Sequence, residues 1–188
     1  MPRGIIIFGS AGSGKTTLGR MVAERLGYPY FDIDDYIWRT DTAVPFTVMY
    51  SREEKAGRLM AAISAHEHFV MAGSMSSFHA PFDPLFDLAV HLTARAEVRV
   101  ARAHERELAV YGERVLEGGD MYEEHQRFLE NVTRYDTDGA PCLKTHLEWA
   151  AALPCKVLSL NGEDALDQNA ERITEAYRAA IGGRFGKT

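Results

Sequence analysis

The chain has 188 residues, 46% of them hydrophobic and 26% charged, with a formal net charge of -6 at pH 7. That composition excludes a disordered, collagen-like or low-complexity chain, and the length suits one domain, 1–188, with its own hydrophobic core. The acidic balance opposes general binding to nucleic acid or to an anionic membrane, because either would repel the summed field, while a small anionic ligand needs only a local positive site. Two cysteines, Cys142 and Cys155, are too few for a disulfide scaffold and read as thiols in a reducing cytosol. No stretch reaches the roughly 20 apolar residues that span a bilayer, and the first residues lack the apolar length and cleavage site of a signal peptide. A cytoplasmic, monomeric protein without membrane or nucleic-acid partners is expected.

Ile5-Ile6-Ile7-Phe8 is a continuous apolar run that suits a strand buried on both faces. The Gly- and Ser-rich segment 9–17 follows, then Leu18, Met21, Val22 and Leu26 at helical spacing, closed by Gly27. Tyr30-Phe31-Asp32-Ile33 reads as a second short strand ending in acidic residues, and 39–50 as a loop. Ser51 and Glu54 form a capping box that opens a helix with Leu59 and Ile63 on its apolar face. Phe69–Ala72 is a third strand ending at Gly73-Ser74-Met75-Ser76, and Leu88–Leu92 a fourth. Residues 96–138 are helical and charged, interrupted at Gly112 and at Gly118-Gly119, with Asp120 as a helix cap. Leu143–Leu153 reads as a helix, Val157–Leu160 as a fifth strand closed by Asn161-Gly162, and Asp164–Ile181 as a final helix. Five strands alternating with helices predict a parallel sheet covered on both faces, with the loops at the strands' carboxyl ends converging on one edge.

Gly9-Ser10-Ala11-Gly12-Ser13-Gly14-Lys15-Thr16 matches G-x-x-x-x-G-K-[ST] between a buried strand and an amphipathic helix. Glycines let the backbone wrap closely and turn successive N–H groups inward, and the helix amino terminus adds partial positive charge at the same point. Lys15 bridges the β- and γ-phosphates in such a loop, and the Thr16 hydroxyl coordinates magnesium. Gly9, Ala11, Gly12, Ser13, Gly14, Lys15, Thr16 and Thr17 are therefore the expected nucleotide-binding residues, for ATP with Mg.

Residues 9–27 together with Tyr30–Ile37 resemble the small P-loop kinases of the shikimate kinase, gluconate kinase and adenylate kinase group. The resemblance implies a P-loop NTP hydrolase fold with strand order 2-3-1-4-5 and a helical lid, here about 103–140. Two carboxylates at i and i+2 of a strand point to one side, so Asp32 and Asp34 both face the phosphates if the strand continues through them. By resemblance, Asp32 holds magnesium with Thr16, and Asp34 binds the acceptor hydroxyl and takes its proton. The plainer alternative has Asp34 or Asp35 starting the next helix. The group's F-R pair in the second helix, its G-G-G after the third strand and its R-P-L-L lid are not kept. Shikimate itself is thus not the expected acceptor, and Arg58, Gly73 and Ser74 become the acceptor-side candidates. Arg102 matches the arginine that stacks on adenine, Arg106 or Arg114 the lid arginine that reaches the transferring phosphoryl group, and Asn161 lies where the fold passes the adenine edge. Surface pairing with nearby glutamates is the bland account of these arginines.

The function expected is an ATP-dependent phosphotransferase acting on a small-molecule hydroxyl or phosphate. The alternative is an NTP-binding regulator or slow NTPase that acts on a protein partner. A carboxylate closing the third strand favours the second; Gly73-Ser74 stands there instead.

Overall fold

The computed structural model describes residues 1–75 and 77–185, so Ser76 lies outside the described residues. Five strands, β1 (Arg3–Phe8), β2 (Tyr30–Asp32), β3 (His68–Ala72), β4 (Phe86–Thr93) and β5 (Lys156–Asn161), form one sheet in the order β2-β3-β1-β4-β5. All four pairings are parallel. The helices are α1 (Lys15–Leu26), α2 (Asp34–Ile37), α3 (Arg52–Ile63), α4 (Ala96–Tyr111), α5 (Tyr122–Thr133), α6 (Leu143–Ala152) and α7 (Leu166–Phe185).

Ile5, Ile6, Ile7 and Phe8 are wholly buried, and their alternation builds two cores. Ile6 and Phe8 pack with Leu59 and Ile63 of α3 and Trp149 of α6 on one face. Ile5 and Ile7 pack with Leu18 and Val22 of α1 and Ile173 and Tyr177 of α7 on the other. Each such side chain contributes about 1.5–3 kcal/mol on burial, which is why the central strand reads as an unbroken apolar run. Ser51 caps α3 with the reciprocal Glu54 bonds the sequence predicts, and Gly27 closes α1 at φ 68.

Two local expectations are corrected. β2 ends at Asp32; Ile33 is already α-like (φ -64, ψ -31) and Asp34 is the first residue of α2. Asp120 does not cap α5, because Met121 is the cap residue and Asp120 is paired with Arg114 at 2.8 Å. Among the described residues no helix is long and apolar enough to cross a membrane.

Candidate active site

The loop after β1 is shaped by close approach. A Cβ on Gly12 would lie 2.1 Å from the Arg99 carbonyl oxygen, and one on Gly9 2.1 Å from that of Leu92; both glycines have positive φ, as does Gly14 before α1. Only glycine lets the loop lie this close to β4 and to α4. Inside it, the Ser13 hydroxyl donates to the Ser10 carbonyl at 2.9 Å and Lys15 Nζ donates to the same oxygen at 2.6 Å. Burial lowers the Lys15 pKa to about 8, a shift that Arg106 deepens and Asp34 and Asp32 oppose.

Thr16 and Asp32 meet as expected. The Thr16 hydroxyl donates to Asp32 Oδ2 at 3.2 Å, and the Tyr30 hydroxyl reaches the same oxygen at 3.2 Å. The Asp34 amide donates to Asp32 Oδ1 at 3.2 Å, so a turn brings the two acids together where the sequence reading used strand alternation. Asp34 does start a helix, but its carboxylate interacts with Lys15. The surrounding protein first, and then Asp32, raise the Asp34 pKa, with Lys15 and Arg106 opposing, although the side chain stays reachable from solvent.

The arginines separate. The Arg106 charge on α4 acts to lower the pKa of both Lys15 and Asp34, and its guanidinium lies 3.8 Å from Glu107. Arg102, one turn earlier, donates to the Gly162 carbonyl at 3.0 Å and lines a cavity of about 230 Å³ with Thr17, Leu92, Gly162 and Asn169. Arg114 instead pairs with Asp120 and donates to the Ala43 carbonyl at 3.4 Å, joining the 112–120 segment to the loop after α2. Arg99 is buried and bound to Asp136 at 2.7 Å. Asn161 is occupied in its own turn: its side chain accepts from the Glu163 amide at 3.0 Å and its carbonyl from Asn169 Nδ2 at 2.7 Å. Gly162, beside it, faces the cavity; a Cβ there would lie 2.1 Å from the Ser13 carbonyl.

On the acceptor side, Arg58 stacks over the Tyr50 ring at 4.3 Å. Gly73 (φ 140) packs so tightly on Ile33 that a Cβ would lie 2.6 Å from that residue's Cβ. Ser74 Oγ is 3.1 Å from His146 Nε2. Two features escaped the sequence reading. Lys55 on α3 is only 7% exposed, and its Nζ contacts the Met49 sulfur at 3.2 Å; no carboxylate pairs with it among the described residues. Its signal was legible, since Lys55, Leu59 and Ile63 form one i, i+4, i+8 stripe. The second is the histidine pair His91 and His146, which no spacing announces.

Acids supplied by β2 and its following turn, with none closing β3, place the chain among the small-molecule P-loop kinases. It belongs to the shikimate kinase family, whose model matches residues 11–135. YqaC, an uncharacterised protein of Bacillus subtilis (strain 168), is 29% identical over 177 residues, covering 93% of this chain and 97% of that protein. Among solved structures, a gluconokinase from Sinorhizobium meliloti 1021 aligns with TM-score 0.57 at 15% identity, covering 100% of this chain and 98% of that one. A shikimate kinase from Acinetobacter baumannii in complex with shikimate gives TM-score 0.56 at 17% identity, covering 97% and 95%. At those identities the likeness is one of fold.

Proposed function

We propose that the protein transfers the γ-phosphoryl group of ATP to a small molecule bound between Asp34, α3 and Gly73-Ser74. The observation that carries this reading is the cluster at the phosphate loop: Lys15 Nζ lies 2.6 Å from the Ser10 carbonyl oxygen, and Asp32 accepts from both the Thr16 hydroxyl and the Asp34 amide at 3.2 Å. Asp34, with its raised pKa, is suited to take the proton of an acceptor hydroxyl. That oxygen then bonds to the γ-phosphorus as the bond to the ADP oxygen breaks. Lys15 and Arg106 counter the charge on the transferring group. Arg102 and the Gly162 cavity suit the base.

Thr16 Oγ1 and the Asp32 carboxylate are hard oxygen donors 3.2 Å apart, a set that fits Mg²⁺ directly or through water. When bound, the ion neutralises phosphate charge. Segment 103–140 serves in this reading as the lid, and the Arg114–Ala43 contact supports its closing over the loop after α2.

Lys55 points to the acceptor's chemistry. A largely buried lysine whose ammonium meets a thioether, with no carboxylate partner among the described residues, gains from an anion that pairs with it. With Arg58 on the next turn, it suits an acceptor that carries a carboxylate or phosphate besides its accepting group. The regulator reading lacks the acid at the end of β3 that would support it.

The test is ADP release from Mg-ATP with pooled hydroxy acids, phosphorylated sugars, neutral sugars and nucleosides. Stimulation by an anionic pool, lost in Asp34→Asn, is expected. Equal rates with every pool and without any would count against the kinase reading.

A further inference from the structure

Three buried groups connect the sheet to the acceptor loop. His91 on β4 lies between Phe8 of β1 and Ser159 of β5 in register, 3% exposed, and stacks on the Phe8 ring at 5.1 Å. Its Nε2 is 3.0 Å from the hydroxyl of Tyr135, which follows α5. The same hydroxyl is 2.9 Å from His146 Nδ1 on α6, and His146 Nε2 is 3.1 Å from Ser74 Oγ at the end of β3. Tyr135 and His146 are each 2% exposed. Burial, then the neighbouring His91 and Lys15, lower the His146 pKa to about 4, and burial lowers that of His91. Both rings are neutral at physiological pH. The His146 ring also meets Phe8, the last residue of β1, edge-on at 5.4 Å, which places the network beside the phosphate loop.

Hydrogen-bond valence then restricts the network. A phenol hydroxyl has one proton to donate. Between two ring nitrogens it donates to one and accepts from the other. In one arrangement His91 Nε2–H donates to Tyr135, Tyr135 donates to His146 Nδ1, and His146 Nε2–H donates to Ser74. In the other every bond reverses: Ser74 donates to His146 Nε2, His146 Nδ1–H to Tyr135, and Tyr135 to His91 Nε2. Both rings carry their proton on Nε2 in the first arrangement and on Nδ1 in the second. A mixed pair leaves either one ring nitrogen or the Tyr135 proton without a partner within the relay, at a cost of about 1–3 kcal/mol in a buried site.

We propose that His91, Tyr135 and His146 form a two-state relay with matched tautomers, and that His146 is a positioning residue that sets whether the Ser74 hydroxyl donates or accepts at the acceptor loop. The acceptor side of this inference rests on the kinase reading above; the tautomer coupling does not. Through Tyr135 the relay also ties segment 103–140 to the acceptor loop, so a change in hydrogen-bond polarity at Ser74 is felt at β4 and behind α5.

The test is long-range ¹H–¹⁵N correlation of the histidine rings in the full chain, with Mg-ADP bound, at pH 7. The result expected is two neutral rings with the same tautomer. Ser74→Ala should shift the ring signals of His91, which Ser74 does not touch, together with those of His146. Tyr135→Phe, which removes only the hydroxyl, should abolish that coupled response while changing ADP affinity less than two-fold. Opposite tautomers, a protonated His146, or a His91 indifferent to Ser74→Ala would overturn the relay. If an acceptor pool stimulates ADP release, Tyr135→Phe should raise the KM for that pool more than it lowers kcat; an unchanged KM would overturn the positioning role alone. If no pool stimulates, the kinase reading fails while the tautomer result still decides the relay.

Discussion

The Thr16 hydroxyl and Asp32 Oδ2 stand 3.2 Å apart, joining the first turn of α1 to the end of β2, and the Tyr30 hydroxyl holds the same carboxylate oxygen from the strand side. This contact aligns an oxygen pair beside the phosphate loop. Asp32→Asn keeps the shape and removes the charge. Magnesium affinity should fall about 10–100-fold, read as a higher Mg²⁺ concentration for half-maximal ADP release at saturating ATP. An unchanged magnesium requirement would remove Asp32 from the metal site.

The acid and base limbs of activity follow from two groups. The Asp34 pKa is raised by the surrounding protein and by Asp32. The carboxylate must be ionised to accept a proton, so transfer should rise with pH through that elevated value. The Lys15 pKa is lowered to about 8 by burial. The free enzyme should therefore lose ATP affinity as pH climbs through 8 and the ammonium deprotonates, and bound phosphate should move that limb upward. A pH profile of kcat/KM for ATP shows the alkaline limb, and Asp34→Asn should erase the acid limb along with transfer.

Arg102 and Gly162 make separate predictions about the base. Arg102→Ala removes a guanidinium from the cavity wall, worth roughly 0.5–2 kcal/mol of stacking and packing. The KM for ATP should rise about 2- to 30-fold, with the KM for the acceptor unchanged. Gly162→Ala puts a methyl group 2.1 Å from the Ser13 carbonyl. It should lower both thermal stability and nucleotide affinity, as differential scanning fluorimetry with and without ADP would show.

Lys55→Met replaces an ammonium that has no carboxylate partner among the described residues with an apolar side chain of similar length. The melting temperature of the ligand-free protein should rise. Added citrate or phosphate should stabilise the ADP-loaded wild type, whose phosphate loop is filled, and fail to stabilise Lys55→Met. A lower melting temperature in Lys55→Met, with the anion effect intact, would show that Lys55 serves the fold alone.

The fold was readable because β1 and the loop after it combine three independent signals: an apolar run, a glycine pattern and a helical stripe. The Ser51–Glu54 box follows the same local rules, whereas the strand order is legible only through the resemblance to the small P-loop kinases. The Asp32–Asp34 pair is legible as a pattern, but strand alternation does not give its geometry: Ile33 turns into α2, and Asp34 starts that helix as the plainer alternative expects. Arg102, Arg106 and Arg114 look alike in sequence as cations on a helical stretch; tertiary contacts distinguish them, since Arg102 donates to Gly162 and Arg114 to Asp120 while Arg106 lies against Glu107 and Phe128. His91, Tyr135 and His146 were illegible, because 44 and 11 residues separate the bonded partners and no motif links them.

The central claim is that phosphoryl transfer ends on a small molecule. The most direct measurement follows the label from γ-labelled ATP incubated with the protein, Mg²⁺ and a protein-free metabolite extract. The account predicts label in a small organic phosphate, absent with Lys15→Ala and with Asp34→Asn. Label found only in inorganic phosphate, at a rate raised by a protein fraction and not by the extract, would contradict it.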